Sequence, residues 1–272
     1  MSGALGMIAG SGDLPVDLAE RCARDGMQYS VLRLRGITSP ALEAHPGAEV
    51  ALGKLGAALA LLKRAGCDRL LFVGKVLRPR WRDISLDWTG FRGLLRVLMG
   101  WRHDDRLHRA ISRLFEEQGI KVVGPADVWP DLLAPIGALT VRLPTGGDER
   151  TIAVAAAAAL KLGLTDRGQG VVARDGAVLA LEDRDHTDGL LRRVAEGRGE
   201  GGVLVKLAKP QQDRRLDLPV IGPETVAAAI EARLSGIAVE AGAAILARRE
   251  KLVADADAAG LFIVGLDPVA LR

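Results

Sequence analysis

The chain has 272 residues, 49% hydrophobic and 26% charged; this is globular composition with enough length for one large or two small domains, and it excludes a disordered chain. Aromatic residues make up only 3%, and the two cysteines, Cys22 and Cys67, have no paired or CxxC spacing, so neither a disulfide framework nor a zinc site is expected and a reducing cytoplasm fits. The formal net charge of +3 is too small to mark a nucleic-acid binder.

The opening Leu5–Ala9 reads as a short buried strand, Gly10–Asp13 as a turn, and Leu14–Ala19 as the start of a helix with Pro15 in its first turn. No basic region precedes that apolar stretch, so a signal peptide is not expected. A second strand over Tyr29–Leu34, a helix from Gly53 to Gly66 and an apolar strand over Arg69–Gly74 follow. After a helix from Arg106 to Gln118 comes the strand Ile120–Gly124. Strands alternating with helices imply a parallel sheet covered on both faces.

From Pro135 to Gly147 the sequence is rich in Pro, Gly and Thr without helical period, which reads as a linker. The expected boundaries are a Rossmann-like N-terminal domain over 1–135, a linker over 136–147 and a C-terminal α/β catalytic domain with a mixed sheet over 148–272. In this half a helix from Glu149 to Leu164 precedes two apolar runs around Asp175-Gly176, a hairpin signal. The helix is too short, and too interrupted by Lys161, to span a bilayer. Then come a helix from Thr187, strands over Gly202–Lys206 and Leu218–Gly222, a helix over Pro223–Ser235, and strands over Gly236–Val239 and Leu261–Leu266.

Six segments could carry chemistry. The turn Gly10-Ser11-Gly12-Asp13 puts backbone N–H groups at a helix start, where a phosphate or polar sugar is received, or it is simply a tight connection. Pro15 replaces the third glycine of a dinucleotide fingerprint, and the second strand carries Arg33 and Arg35 where an acid would hold a ribose, so an NAD site is disfavoured. Lys75 and Arg78 follow a buried strand, at the carboxyl end of a parallel sheet where open α/β folds bind ligands; a solvated basic loop is the alternative. Between Trp81 and Arg113 the chain places Trp81, Trp88 and Trp101 among many arginines, which suits a surface meeting acyl chains and anionic headgroups, or a core. Asp104 and Asp105 stand just before a helix, one free to cap it and the other to orient a hydroxyl, water or cation; Thr187 and Asp188 repeat that choice. The densest polar stretch, Lys206 to Pro219, gathers Lys206, Lys209, Gln212, Asp213, Arg215 and Asp217 at one rim. Carboxylates that hold Mg²⁺ or a water, beside cations that neutralise phosphate, are the parts of metal-assisted phosphoryl chemistry.

Together Ile8–Pro15, Gly74-Lys75-Val76 with Arg78-Pro79, Asp104-Asp105, Thr187-Asp188, the run Lys209–Gly222 continued by Pro223–Val226, and Gly236–Gly242 resemble the UDP-2,3-diacylglucosamine pyrophosphatases of the LpxI type, across essentially the whole chain. The context Asp183-Arg184-Asp185-His186 departs from that family's more usual acid-Gly pattern. The resemblance implies two α/β domains with substrate held between them, and a cytoplasmic hydrolase of lipid A biosynthesis, peripheral to the inner membrane, with the lipid-linked nucleotide sugar as its partner and homo-oligomers allowed. It implies Mg²⁺ or Mn²⁺ dependent cleavage of the pyrophosphate to UMP and 2,3-diacylglucosamine 1-phosphate. Lys209 and Arg215 would then stabilise negative charge, and Asp213 and Asp217 would hold metal or orient water, without a choice of base. Gly10, Ser11, Gly12, Asp13, Lys75, Arg78, Asp104, Asp105, Thr187, Asp188, Lys206 and Gln212 would bind substrate. A nucleotide-sugar dehydrogenase or transferase, and a non-catalytic lipid or nucleotide-sugar carrier, are the rival readings.

Overall fold

A computed structural model describes residues 3–76, 104–165, 167–183, 185–211 and 213–271. The chain divides into two units, Met1–Val128 and Trp129–Arg272, and each is an α/β layer structure.

In the first unit β1 (Ala4–Ala9), β2 (Tyr29–Leu34), β3 (Gly47–Val50), β4 (Cys67–Val73) and β5 (Lys121–Val123) form a parallel sheet in the order β3-β2-β1-β4-β5. The chain starts in the middle, winds outward through β2 to β3, then returns to lay β4 on the other side of β1. The strands read as unbroken apolar runs because helices cover both faces. Helices α1 (Leu14–Arg24), α2 (Leu55–Arg64) and α3 (Asp104–Glu116) make the crossovers. Gly6 lacks a Cβ where Leu62 of α2 presses on the sheet, and Phe72 meets Phe115 of α3 edge-on at 6.1 Å between ring centres. Gly6 and Phe72 share one face by strand alternation, so α2 and α3 cover it together, while right-handed crossovers put α1 on the other. A short helix α4 (Pro125–Val128) closes the unit.

Cys22 and Cys67 are both buried. Burial, reinforced by Asp25 beside Cys22 and Asp68 beside Cys67, pushes each thiol up to about 11. Only the thiolate reacts, so we expect no colour with a disulfide reagent at pH 8 in the native protein and two equivalents after unfolding; rapid native reaction at either thiol would contradict the packing.

The second unit carries a six-stranded mixed sheet in the order β6-β13-β11-β9-β7-β8, from β6 (Gly137–Ala138), β7 (Gly170–Arg174), β8 (Ala177–Leu181), β9 (Val203–Lys206), β11 (Gly236–Glu240) and β13 (Phe262–Leu266). Strands β9, β11 and β13 are parallel; β6, β7 and β8 run against their neighbours. Helix α5 (Gly146–Leu164) covers one face with Ile152, Ala155, Ala159 and Leu162. Helices α6 (His186–Glu196), α7 (Pro223–Glu231) and α8 (Arg249–Ala258) cover the other with Leu190, Leu191, Val226 and Leu252. The hairpin turns on Asp175 and Gly176, both left-handed, as the Asp-Gly pair requires.

Three elements depart from the sequence reading. The segment expected to be a linker forms the edge of this sheet: β6 pairs with β13, and Ile263 N donates to the Thr140 hydroxyl at 2.8 Å. Helix α5 begins before Glu149 because Thr145 and Asp148 cap each other, Thr145 N donating to the Asp148 carboxylate at 2.9 Å and Asp148 N to the Thr145 hydroxyl at 3.2 Å. The expected strand over Leu218–Gly222 is reduced to β10 (Val220–Ile221), which pairs with β12 (Ile245–Leu246) in a separate two-stranded sheet.

β8 is an edge strand without a charged residue, and Val178, Leu179 and Leu181 are exposed. Glu182 N donates inward to Gly170 O at 2.8 Å, so the Leu181 carbonyl in the same peptide points outward. It accepts Arg193 Nη2 at 2.9 Å, and Arg193 Nη1 is held by Asp183 at 3.1 Å.

Candidate active site

The strand order of the first unit reverses between β1 and β4, and ligands of open α/β sheets bind at the carboxyl ends of the strands flanking such a reversal. The sequence-predicted Gly10, Ser11, Gly12, Asp13 and Lys75 all lie there. Ser11 and Lys75 form an isolated antiparallel bridge: Ser11 N donates to Lys75 O at 2.8 Å and Lys75 N to Ser11 O at 2.9 Å. The Ser11 hydroxyl also donates to Lys75 O at 2.9 Å, and Gly10 N donates to Val73 O at 2.8 Å. The loop amides of Gly10 and Ser11 are thus committed to the neighbouring strand exit. A Cβ at Gly10 would lie 2.6 Å from Lys75 O, and one at Gly74, whose φ is +91°, 2.7 Å from the Pro15 ring. These glycines are needed for backbone against backbone.

Thr38, which sequence reasoning passed over, joins the same rim. Its hydroxyl donates to Ala9 O and accepts Leu34 N at 2.8 Å, tying the exits of β1 and β2. Arg33 turns away to the carbonyls of Leu42 and His45 at 3.2 and 3.3 Å, and Arg35 pairs with Glu49 at 2.5 Å. Arg78 lies outside the described residues. Asp104 and Asp105 begin α3, with side chains outside the described set.

In the second unit the polar stretch leaves the carboxyl end of β9 and arches over the sheet. Lys206 is buried, and its ammonium donates to Val220 O of β10 at 3.0 Å, so it is not on the outer surface. Gln211 donates to Gly163 O at the end of α5 at 2.7 Å. Asp213 accepts Arg215 N and Nε on Oδ1 at 3.1 and 3.0 Å and Arg215 Nη2 on Oδ2 at 2.7 Å. Asp217 N donates to Asp213 O at 3.1 Å, so Asp213, Arg215 and Asp217 stand on one tight turn and not on the extended segment whose alternation would set them on one side. Lys209 precedes that turn in the same loop; Gln212 lies outside the described residues.

Thr187 and Asp188 are separated in role by burial. Thr187 is buried and donates to Glu182 Oε1 at 2.9 Å. Glu182 Oε2 accepts the amides of Gln169 and Gly170 at 2.7 and 2.8 Å, so this carboxylate clips β7, β8 and α6 together. Each such charged bond is worth about 1.5–3 kcal/mol. Asp188 is exposed on the first turn of α6. The Thr-Asp pair therefore gives one fold clip and one surface acid.

Both units now have known counterparts. Residues 4–132 match the LpxI N-terminal domain family and residues 135–264 the LpxI C-terminal domain family. The protein named UDP-2,3-diacylglucosamine pyrophosphatase LpxI from Caulobacter vibrioides is 40% identical over 273 residues, covering 97% of this chain and 98% of that one. The chain belongs to the LpxI family.

One part of the functional reading drawn from the sequence is corrected within this LpxI chain. That reading made hydrolysis depend on Mg²⁺ or Mn²⁺ held by Asp213 and Asp217. Among the described residues no group of three or more His, Cys, Asp or Glu side chains comes together to hold a metal ion, and both Asp213 oxygens are engaged by a guanidinium. A hard divalent cation wants several oxygen ligands. Among the described residues the turn of Asp213 and Asp217 does not gather such a set, and what the similarity carries is the relative's printed name, a pyrophosphatase. No helix among the described residues is long and apolar enough to cross a membrane.

Glu182, Thr38 and Glu240 position these LpxI loops; Thr38 and Glu240 were not among the sequence candidates for the site, and Glu182 stood only at the head of the candidate stretch around Thr187 and Asp188. Glu240 ends the apolar run Gly236–Val239; a carboxylate closing an otherwise buried strand was the available signal.

Proposed function

We propose that this chain is a hydrolase acting on UDP-2,3-diacylglucosamine, splitting the diphosphate between the uridine nucleotide and the lipid sugar. The observation that carries the proposal is the near full-length identity to the Caulobacter protein of that name. The polar turn at the carboxyl end of β9 supplies suitable groups. Lys209 and Arg215 neutralise charge on the phosphoryl oxygens, with Arg215 aimed by the Asp213 fork. Asp217 orients the attacking water and takes its proton as the new P–O bond forms; the bridging oxygen leaves with the electron pair of the broken bond. Taken by itself, the rim of the first unit around Gly12, Asp13 and Lys75 is suited to a polar or nucleotide ligand, since it flanks the strand reversal. The protein meets this diacylated substrate at a membrane surface, a reading supported by the tryptophans and arginines of the sequence between Trp81 and Arg113.

Incubating the purified chain with UDP-2,3-diacylglucosamine, with Mg²⁺ supplied or withheld, is expected to release a phosphorylated uridine product that scales with enzyme. Tight binding of intact substrate without release under either condition would instead support a carrier, and an absorbance change with NAD would support a dehydrogenase.

A further inference from the structure

Glu240 stands at the carboxyl end of β11, a strand flanked by β9 and β13. The residue is 8% exposed, and both carboxylate oxygens are engaged by the neighbouring loop. Oε2 accepts the Ala208 amide at 3.0 Å and Oε1 accepts Arg214 Nη2 at 3.3 Å. Ala208 and Arg214 bracket the segment 209–213. One carboxylate on a rigid strand therefore grips that segment, which carries Lys209 and Asp213, at both ends, and the second grip stands next to Arg215.

We infer that Glu240 is a positioning residue that holds the loop carrying Lys209, Asp213 and Arg215 in register above the sheet. The inference rests on the pyrophosphatase reading for its catalytic consequence, and on the two contacts for its mechanical one. Strand ends fix a side chain better than loops do, and misplacing groups around a reacting centre by about 1 Å can cost about a hundredfold in rate. The two contacts divide the work. The Ala208 bond sets the direction in which the chain leaves β9, and the Arg214 pair sets where the turn lands.

The test measures kcat and KM on UDP-2,3-diacylglucosamine, together with amide hydrogen exchange of peptides spanning 207–216, in the full chain. Glu240→Gln keeps an oxygen for Ala208 N but loses the charge that holds Arg214; kcat is expected to fall about tenfold with KM within about twofold, and exchange to rise in 207–216 but not over α6. Glu240→Ala is expected to lose about a hundredfold in kcat; if that variant does not fold, Glu240→Gln alone decides. Combining Glu240→Gln with Arg214→Ala should add little to Arg214→Ala alone, because both remove the same pair. A kcat within about twofold of the parent for Glu240→Gln, or exchange in 207–216 unchanged, overturns the inference; so does additivity of the two substitutions. If the parent protein releases no uridine product, the pyrophosphatase reading fails separately, and exchange alone then decides whether Glu240 holds the loop.

Discussion

Asp217→Ala is expected to lower kcat on UDP-2,3-diacylglucosamine by at least about a hundredfold, the low end of what general acid-base assistance contributes, while substrate still binds. Asp213→Ala should lose as much in kcat/KM by a different route. With its carboxylate gone, the Arg215 guanidinium loses two contacts and the Arg215 amide a third, and the side chain no longer presents a fixed donor pair to phosphate. Losing the aim of a bidentate cation weakens ground-state binding as well as the transition state. The two variants therefore separate by KM, which should rise for Asp213→Ala and stay close to the parent for Asp217→Ala. Near-parental rates in both would remove the polar turn from the chemistry.

The second large effect is on stability. Gly74→Ala is expected to destabilise the protein by about 2–4 kcal/mol, combining left-handed backbone strain with overpacking, because φ is +91° and the added carbon would lie 2.7 Å from Pro15 and 2.8 Å from Ser11 O. Gly12→Ala is the control. Its φ is +99° but nothing lies within 4 Å of the added Cβ, so strain alone costs about 1–2 kcal/mol. Urea unfolding followed by circular dichroism distinguishes them; equal losses would mean that the close approach of the two strand exits does not matter. Activity of Gly74→Ala measured well below its midpoint also tells whether the Ser11–Lys75 bridge matters to turnover.

Much of the fold was readable because its determinants are local. Buried parallel strands announce themselves as apolar runs, Asp175-Gly176 can make few turns other than a hairpin, and Pro15 marks a helix start. What escaped was set by neighbours. β3 is four residues, Gly47–Val50, with Glu49 among them, and only pairing with β2 makes it a strand. Helix α8 was not foreseen because Leu252 and Ala256 are its only buried residues, too sparse to show a period. The Pro- and Gly-rich stretch before α5 looked like a linker because no sequence rule reveals that Ile263 will seek the Thr140 hydroxyl.

The site divides in the same way. Gly10–Asp13 and Lys75 were found 64 residues apart because both follow buried strands, and parallel topology brings such exits to one rim. The loop Lys209–Asp217 was found by its charge density. Sequence could not say that Lys206 would be buried against Val220 O, nor that Asp213 would serve a guanidinium. It also could not distinguish Thr187, which locks onto Glu182, from its exposed neighbour Asp188. Burial decides these roles, and burial belongs to the assembled layers.

The Arg193 contact on Leu181 bears on how this chain survives crowded conditions. A border strand made only of Ala, Val and Leu is the sort of template on which stray chains zip together into insoluble material. With a guanidinium bolted across its last outward acceptor and braced by Asp183, an incoming backbone cannot complete the ladder at that end. Keeping molecules apart at high concentration thus falls to one arginine remote from the chemistry, and its loss would show first as turbidity rather than as slower turnover.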